Sequence, residues 1–516
     1  MLSFEDSAII IYATVFSTAI FVALVWNFRS YLGLLAAALR QLFLQHVSYQ
    51  PIFRSARLMN QWSRADILGL VIYFALNGFC ISFRSSSVDE AGHRAAKLGI
   101  VNLLFLYATP HLDVLTNTLG MQWRTICRFH GAVGVLTALL LVFHTIAFAL
   151  SRNAFPVARA ENLWAIVAAA STIASVAICF PAFRNGWYEI FLRAHQSLAI
   201  LSLYGIWVHI APRDLLPRLL LYVVIGVAGL STFFSGAIMA YRNGIFRCRL
   251  TRADILHAKG AVLVRVILAR PVRVKAGQFI SLWIAIPSTN FCSLWEYHPF
   301  VVANWSENAL DTLDLLIEPR SGLTLNLLQR SQTRQDHCRA LFSGPHGSSV
   351  PVGTYEIVLM AATGYGIAAQ LPYLKQLLHD YNSRKAKARR IHLVWELKTL
   401  ELPLAIESLL NNALIDDTLD DGYILQISVY VENVGREERI SPRAEVIRGL
   451  PDWSAIIQEE AAGKYIKRVQ DETSKRGDMI VTISTSPGVR RHLQAIVQKH
   501  VRERVELVEL DYQPDH

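Results

Sequence analysis

Four histidines lie inside long apolar runs and form two pairs with the same spacing. His130 and His144 are fourteen residues apart, and so are His195 and His209. On an α-helix, fourteen steps of about 100° end about 40° short of four full turns, so each pair occupies one helix face with about 21 Å between its members. Two such helices side by side would hold two stacked gaps, each with an imidazole on both sides. That arrangement suits two b-type haems with two axial imidazoles each, a device for moving electrons across a membrane.

A simpler alternative is that these histidines only form hydrogen bonds between packed helices. Ionisable residues are rare in membrane spans, however, and indicate a functional site by default. Two pairs with identical spacing on separate apolar runs favour haem ligation over helix packing.

The composition divides the chain into two halves. The 516 residues have a mean hydropathy of +0.32, with long apolar runs up to about Tyr241 and a charged, soluble-type sequence after it. A membrane domain therefore precedes one or two globular domains. Much of the formal charge of +10 lies in loops beside the apolar runs, so we expect no nucleic-acid partner. The six cysteines form no CxxC or metal-ligand spacing, which leaves zinc, iron–sulfur and disulfide frameworks without support.

About seven apolar stretches approach the length needed to cross a bilayer. The loop over 29–64 carries five arginines and no acidic residue, so the positive-inside rule places it in the cytoplasm. The N-terminus is then outside and the C-terminal half is cytosolic. Glu5 and Asp6 precede the first run, which favours an uncleaved span over a signal peptide. The stretches are Ala8–Phe28, Ile67–Phe83, Leu98–Leu112, Phe129–Leu150, Asn162–Phe183, Ala194–Pro212 and Leu219–Tyr241.

This orientation assigns the histidines to an inner and an outer pair. His130 and His195 follow cytoplasmic loops, so they form the inner pair, and His144 with His209 forms the outer pair. Four arginines flank the inner helix ends and fit either haem propionates or ordinary interfacial anchors: Arg124, Arg128, Arg184 and Arg193.

The second half alternates short β-type runs with turns of a kind that binds phosphate. Gly322-Leu323-Thr324 leads into an apolar helix start, whose N–H groups and dipole favour an anion. Further on, a strand over 356–362 precedes Gly364-Tyr365-Gly366 and an apolar helix over 368–379, the order used to bind a nucleotide pyrophosphate. Later strands predict a parallel sheet with helical crossovers. The basic run over 384–390 fits a 2′-phosphate contact or a solvated connection.

The same reading gives the domain boundaries. We expect an N-terminal span with a basic loop over 1–64, a transmembrane haem domain over 65–243, a domain of short strands over 244–350 and an α/β domain over 351–516. The stretch over about 432–478 is polar and predicts a surface insertion that carries one helix.

Taken together, these residues resemble the fungal ferric-chelate reductases, which belong with the NADPH oxidases to the flavocytochrome b group. The resemblance covers the chain from about residue 60 to the end. It rests on the two His-x13-His helices and on the segments AGQ (276–278), HPF (298–300), RSGLT (320–324), GPHG (344–347), ATGYGIAAQLPYL (362–374) and RGLPDW (448–453).

The resemblance implies a multi-domain membrane protein. An all-α transmembrane bundle of about seven spans would hold two b-type haems. A ferredoxin-reductase-like FAD-binding β-barrel and an NADPH-binding α/β domain would follow it.

The resemblance also assigns roles to single residues. Phe300 would pack against the isoalloxazine, His298 would face the FAD phosphates, and Tyr512 would shield the flavin until nicotinamide displaces it. Further FAD contacts are implied for Gly277, Gln278, Pro299, Arg320, Gly322 and Thr324. The NADPH contacts are implied for Gly344, Gly364, Tyr365, Gly366, Ile367, Thr485 and Pro487.

Three positions depart from the family pattern. Val301 stands where the family has Thr or Ser after HPF, which removes a hydroxyl from beside the flavin. Thr485-Ser486-Pro487 replaces a Cys-Gly-Pro turn, which removes a thiol from the hydride-transfer site. Ala276 replaces a common Pro. The first two bear on the rate of hydride transfer more than on binding.

The implied activity is that of a transmembrane metalloreductase. Electrons would pass from cytosolic NADPH through FAD and two haems to Fe(III) chelates or Cu(II) on the far side of the lipid bilayer. The plasma membrane is preferred over the vacuolar membrane, and a downstream iron-uptake partner is compatible with this activity. Two alternatives remain open: a superoxide-generating NADPH oxidase, and a haem-binding sensor or assembly protein with a degenerate flavin domain.

Overall fold

A computed structural model describes residues 64–513, except 110–111, 152–154, 185–187, 211–213, 248–249, 259–260, 286–296, 321, 334–335, 418–423, 433–443 and 467–476. The predicted first span, Ala8–Phe28, and nearly all of the basic loop lie outside these residues.

Long helices make up most of the described chain over 64–242, as the apolar runs predicted. Small residues allow close helix–helix contact: a Cβ on Gly92 would lie 2.5 Å from Ala147 Cβ, and one on Gly205 would lie 2.9 Å from Trp164 O. Such contacts are typical of helices packed in a membrane. The helices are α1 (Arg64–Ser82), α2 (Val88–Leu106), the short α3 (Asp113–Leu119), α4 (Trp123–Leu150), α5 (Ala160–Ala177), α6 (Tyr188–His209) and α7 (Leu215–Arg242).

Four of these helices, α1, α4, α5 and α7, have the length and apolar composition of a membrane span, whereas the sequence predicted seven spans in the whole chain. The two expected spans that differ are long helices with polar ends. The predicted stretch Leu98–Leu112 belongs to α2, which begins at Val88 and carries Asp89, Glu90, Arg94 and Lys97. Helix α6 carries Arg193 and His195 near its start, which lowers its mean hydropathy.

An antiparallel six-stranded sheet follows α7, with strand order β4-β3-β6-β1-β2-β5. The sequence predicted a closed barrel here, but no strand ladder joins the edge strands β4 and β5 within the described part of the chain. Hydrogen bonds link the segment after β4 to β5: Ala303 N donates to Asp314 O (2.8 Å), and the Asn304 side chain donates to Thr312 O and accepts from Asp314 N, each at 3.0 Å. The elements are β1 (Arg252–Ala258), β2 (Ala261–Val272), β3 (Phe279–Ile284), β4 (His298–Val301), β5 (Leu310–Ile317), α8 (Leu323–Thr333) and β6 (Asp336–His346).

A parallel six-stranded sheet forms the last domain, with strand order β10-β9-β8-β7-β11-β12. The chain starts in β7, builds outward through β8, β9 and β10, and then returns to β11 on the other side of β7. The topological switch point therefore lies between β7 and β11. The elements are β7 (Ile357–Thr363), α9 (Ile367–Asn382), β8 (Arg390–Leu397), α10 (Glu401–Ala405), α11 (Glu407–Asp416), β9 (Leu425–Val431), β10 (Ala444–Arg448), α12 (Trp453–Ala461), β11 (Met479–Ser484), α13 (Pro487–His500) and β12 (Val505–Glu509).

The stretch over 432–478 differs from the predicted surface insertion. It contains the expected helix, α12, but it also supplies β10, which pairs with β9 along its length. Trp453 and Ile457 of α12 are 4% and 0% exposed and pack in the core beneath the sheet. The described part of this stretch is therefore integral to the domain.

Candidate redox cofactor sites

The two histidines of the inner pair face each other from two neighbouring helices. The ring centroids of His130 on α4 and His195 on α6 are 6.2 Å apart, with an angle of 64° between the ring planes. Two imidazoles bound on opposite sides of one metal ion have centroids about 6 Å apart, because the metal–nitrogen bond is about 2 Å and the ring centre lies about 1 Å behind the nitrogen. The gap between these two side chains therefore fits one iron ion.

Backbone carbonyls orient three of the four histidine rings. Nδ1 of His195 lies 3.3 Å from Ser175 O, Nδ1 of His144 lies 3.0 Å from Gly92 O, and Nδ1 of His209 lies 3.2 Å from Glu161 O. A carbonyl oxygen can only accept, so Nδ1 carries the proton in each case and Nε2 keeps its lone pair. A histidine that binds a metal through one ring nitrogen usually donates its other ring N–H in this way, which fixes the tautomer and the ring orientation. His130 Nδ1 is buried and has no hydrogen-bond partner among the described residues.

The outer histidines occupy the helix ends farther from the soluble domains. His209 is an electrostatic neighbour of His144. A third histidine, His93 on α2, also lies near the outer site, with its ring centroid 6.1 Å from that of His144. His93 was missed because it precedes the apolar part of α2.

Three of the arginines at the inner helix ends contact protein groups. Arg124 pairs with Glu509 and Asp511 at 2.9 and 2.8 Å, and Arg128 pairs with Asp66 at 2.8 Å. Arg193 donates to Gln196 Oε1 at 2.9 Å. The Arg124 contacts join the membrane helices to the C-terminal segment.

The AGQ segment lies where the two soluble domains meet. Gly277 has φ +83°, and a Cβ there would lie 2.2 Å from the hydroxyl of Tyr373 on α9. Gln278 accepts from Lys275 N at 2.9 Å and donates to Gly347 O at 3.1 Å. These predicted flavin residues therefore also connect β3 to the GPHG turn and to the last domain.

The HPF residues form strand β4, paired with β3. Phe300 is 1% exposed and packs in the core of the antiparallel sheet, while His298 on the same strand is half-buried. Val301 packs in a different cluster, shared with the parallel-sheet domain, and its N–H donates to Tyr512 O at 3.0 Å. The missing hydroxyl at position 301 would thus have stood beside the C-terminal tyrosine.

The predicted pyrophosphate residues form a turn at the start of α8. Gly322 has φ +56°, and Thr324 Oγ1 accepts from Arg320 N at 2.9 Å. The exposed Arg320 side chain contacts Glu318 Oε2 at 2.7 Å and Tyr512 Oη at 3.1 Å. Tyr512 donates to Glu318 Oε2 at 2.7 Å, and burial followed by this carboxylate raises the pKa of Tyr512, so it stays a donor. The exposed Arg320 and Gly322, directly before a helix, fit an anionic FAD phosphate.

The Gly-x-Gly turn lies at the switch point of the parallel sheet. In open α/β sheets ligands bind at this place, outside the carboxyl ends of the strands. A Cβ on Gly366 would lie 1.9 Å from Ser484 O, so the turn needs glycine to approach β11. Gly364 has φ +50°, and its carbonyl accepts from Trp395 Nε1 at 2.9 Å. Tyr365 between them is half-buried, burial raises its pKa to about 12, and Ile367 is fully buried in the core.

Two buried hydroxyls face this same switch point. Thr485 is 8% exposed and Ser484 is 3% exposed, and neither hydroxyl has a hydrogen-bond partner within the described ranges. Buried polar groups without partners are uncommon, and an absent ligand is one explanation. Pro487 begins α13 beside them. These two hydroxyls at the switch point therefore fit a nucleotide, and no pattern in the sequence indicated Ser484.

Gly344 lies in a different place from the other predicted NADPH residues. Its carbonyl accepts from Arg242 at the end of α7, at the junction with the membrane helices. A buried polar cluster lies at the same junction and was not expected from the sequence. There Asp113 of α3 accepts from Ser281 at 2.8 Å, His346 Nε2 lies 3.4 Å from Asp113 Oδ2, and Ser343 lies 2.8 Å from the same nitrogen.

Three family profiles match successive parts of the chain. Residues 95–206 match the "Ferric reductase like transmembrane component", residues 247–350 match an "FAD-binding domain", and residues 355–508 match the "Ferric reductase NAD binding domain". Their order is that of the helical, antiparallel-sheet and parallel-sheet domains.

Individual relatives carry similar names. The chain is 24% identical over 320 residues to the "Ferric/cupric reductase transmembrane component 2" of Saccharomyces cerevisiae, which covers 58% of this chain and 42% of that protein. It is 25% identical over 251 residues to a protein of Aspergillus oryzae named "Probable cell surface ferric reductase kap2", covering 45% of this chain and 32% of that one. The matched region thus spans less than half the length of these relatives. A ferredoxin NADP+ reductase from Neisseria gonorrhoeae superposes on 50% of this chain and 97% of its own, with 14% identity and a TM-score of 0.34.

Proposed function

The chain belongs to the ferric reductase family, and from that premise we propose that it is a transmembrane, NADPH-dependent ferric-chelate reductase with two b-type haems. The observation that carries the proposal is the inner histidine pair, whose 6.2 Å ring spacing fits one iron ion. The carbonyl contacts of the other three rings support the same chemistry, because they leave Nε2 available as the ligand.

We propose that His130 and His195 hold the inner haem and that His144 and His209 hold the outer haem. When bound, NADPH, FAD and haem supply hydride transfer followed by single-electron transfer. The residues named here bind and orient these groups. Ser175 O, Gly92 O and Glu161 O fix the orientation of three of the rings.

The nucleotide sites follow from the two soluble domains. We propose that the antiparallel sheet curls into the family's FAD-binding barrel, with the Ala303–Asp314 hydrogen bond as support for closure. Arg320, Gly322 and Thr324 would hold the FAD pyrophosphate, with Tyr512 over the flavin. NADPH would bind at the switch point, where the hydroxyls of Ser484 and Thr485 have no hydrogen-bond partner among the described residues.

The membrane arrangement is part of the proposal. We propose that α2 and α6 cross the bilayer with the four apolar helices, because each packs along one of them, α2 on α4 and α6 on α5. With the predicted span over 8–28 this gives seven crossings, an outer N-terminus and a cytosolic C-terminal half. The "cell surface" relative supports the plasma membrane.

The proposed acceptor is Fe(III) in a chelate, with Cu(II) as a second acceptor that the "Ferric/cupric" relative supports. In the proposed reaction, one NADPH and two Fe(III) ions give NADP+, one proton and two Fe(II) ions. Two electrons leave NADPH together and reach two acceptor ions singly.

Anaerobic reduction of the purified protein tests the proposal. NADPH should bleach the flavin band and shift the haem bands to the reduced form, and a later addition of Fe(III) chelate should reverse the shift. Reversal by O₂ but not by the chelate would favour the superoxide-generating alternative. A protein that holds haem but binds no FAD and leaves NADPH unchanged would support the sensor alternative and contradict the proposal.

A further inference from the structure

The far end of the membrane domain carries an exposed histidine–carboxylate pair that is not among the four proposed haem ligands. His93 and Asp89 lie one turn apart on α2, with Nε2 of the histidine 3.6 Å from Oδ2 of the aspartate. Their side chains are 61% and 45% exposed. The neighbouring Glu90 is engaged, since it pairs with Arg94 at 2.6 Å and accepts from Ser86. Asp89 and His93 are thus presented to solvent together.

The pair also lies directly beside a histidine of the outer site. The His93 ring is 6.1 Å from the His144 ring, and Gly92 O accepts from His144 Nδ1 at 3.0 Å. The contact is fixed by packing, because Gly92 approaches Ala147 so closely that a Cβ would lie 2.5 Å away. One helix turn therefore links the solvent-exposed pair to the outer haem ligand.

We propose that His93 and Asp89 form the docking site for the acceptor metal ion, with Cu(II) or Fe(III) bound through the imidazole and the carboxylate. This inference rests on the proposed function. An imidazole suits Cu(II) and iron, and a carboxylate adds a negatively charged oxygen ligand. Each docked ion takes one electron, so Cu(II) leaves as Cu(I) and Fe(III) leaves as Fe(II), two ions for each NADPH oxidised.

The small number of ligands agrees with a substrate site. No group of three or more metal-binding side chains occurs among the residues that the structure describes. A site with two protein ligands leaves the other coordination positions to water or to the chelate. Such an ion exchanges easily, as a substrate must, whereas a structural ion needs a closed set of ligands.

Copper binding tests this site without requiring turnover. Cu(II) is titrated calorimetrically into the purified, oxidised full-length protein in a weakly coordinating buffer. His93→Ala should weaken Cu(II) binding at least tenfold, and the isosteric Asp89→Asn should weaken it about threefold or more. Both variants should raise the KM for Cu(II) reduction and keep the wild-type haem absorbance spectrum.

A matched control is available in the antiparallel-sheet domain. His337 and Asp254 form another exposed pair at 2.6 Å, with His337 77% exposed. His337→Ala should leave the KM for Cu(II) at the wild-type value. Wild-type Cu(II) affinity in His93→Ala would overturn the proposal, and so would loss of haem from that variant, since His93 would then support the haem itself. Failure of NADPH to reduce the haems of the wild-type protein would instead contradict the proposed function, and the copper titration would still be interpretable.

Discussion

Carbonyl acceptors decide how three of the four membrane histidines present their rings. His144, His195 and His209 each direct Nδ1 at a main-chain oxygen of a neighbouring helix. The sequence singled out these histidines together with His130, because their fourteen-residue spacing can be recognised without knowing how the helices pack. It could not predict the acceptors, because Gly92, Ser175 and Glu161 have no distinguishing side-chain pattern.

Removing one inner ligand should remove one haem. We expect His195→Ala to contain about half the haem of the wild-type protein, since the remaining imidazole cannot close both axial positions. Haem extracted per protein, measured as the pyridine complex, checks this. The control is His337→Ala, because His337 is an exposed residue of the antiparallel sheet. This variant should keep the full haem content. Full haem in His195→Ala would exclude the assigned pairing.

A buried ion network in the parallel-sheet domain gives a second residue-level prediction. Glu460 is 2% exposed and accepts from Arg390 and His392, each at 2.8 Å. Burial alone would raise the pKa of Glu460, but the hydrogen bonds from His392 and Arg390 outweigh it and hold that pKa below its ordinary value. Arg390, in the basic run 384–390, is thus committed to a structural contact.

Glu460→Gln should therefore destabilise the domain by about 3–5 kcal/mol at pH 7, because it leaves Arg390 buried without its counter-charge. Because the pKa of Glu460 is lower in the folded protein, its carboxylate stabilises the folded state at pH values above the unfolded pKa of about 4.3. This stabilisation is lost as the pH falls through the pKa of the folded state. The difference between variant and wild type should shrink below about pH 4. Thermal unfolding of the full chain checks this, with exposed Glu459→Gln as a control of little effect; equal losses in both would refute the role of burial.

At the scale of elements, strands and turns were easier to predict than polar helix starts. The turn and helix after β7 were predicted over 364–379 and form over 364–382. Helix α2 was predicted ten residues too late, because its first turns are charged. A capping box could have located it: Ser87 accepts from Glu90 N at 3.1 Å. Strand β10 was missed because it has only five residues, Ala444–Arg448, and lacks the alternation of polar and apolar side chains that indicates a strand.

The turn after β7 gives the prediction at this scale. Gly366→Ala should abolish NADPH binding or prevent folding of the domain, because its Cβ would lie 1.9 Å from the Ser484 carbonyl, a backbone atom that cannot rotate away. Gly488→Ala, on α13 with no atom within 4 Å of its Cβ, is a matched control and should be neutral or slightly stabilising. Quenching of flavin fluorescence on NADPH addition, read beside far-UV circular dichroism, separates lost binding from lost folding. Normal NADPH affinity in Gly366→Ala would contradict the close approach.

At the scale of the whole molecule, the domains meet through polar contacts between residues far apart in sequence. Ser281 donates to Asp113 across 168 positions, and Arg124 reaches Glu509 across 385. No local pattern indicates such partners, so the sequence predicted each domain without their junction. The C-terminal segment is held at both ends: Glu509 and Asp511 bind Arg124 of α4, and Tyr512 binds Glu318 of the antiparallel sheet.

This junction predicts a salt-dependent rate of electron delivery. Arg124→Ala should slow NADPH-driven reduction of the haem bands several-fold while FAD and haem contents stay normal, because the segment that carries Tyr512 loses its two ion pairs with α4. Wild type in 1 M salt should slow in the same direction, since the Debye length falls to about 3 Å and these pairs are about a quarter exposed. Stopped-flow reduction of the haem bands measures both. Arg265→Ala is the control, because it removes a similar ion pair, with Asp314 at 2.8 Å, that lies within one sheet. If Arg265→Ala slows reduction of the haems as much as Arg124→Ala does, the effect comes from general destabilisation. The anchoring role of Arg124 is then wrong.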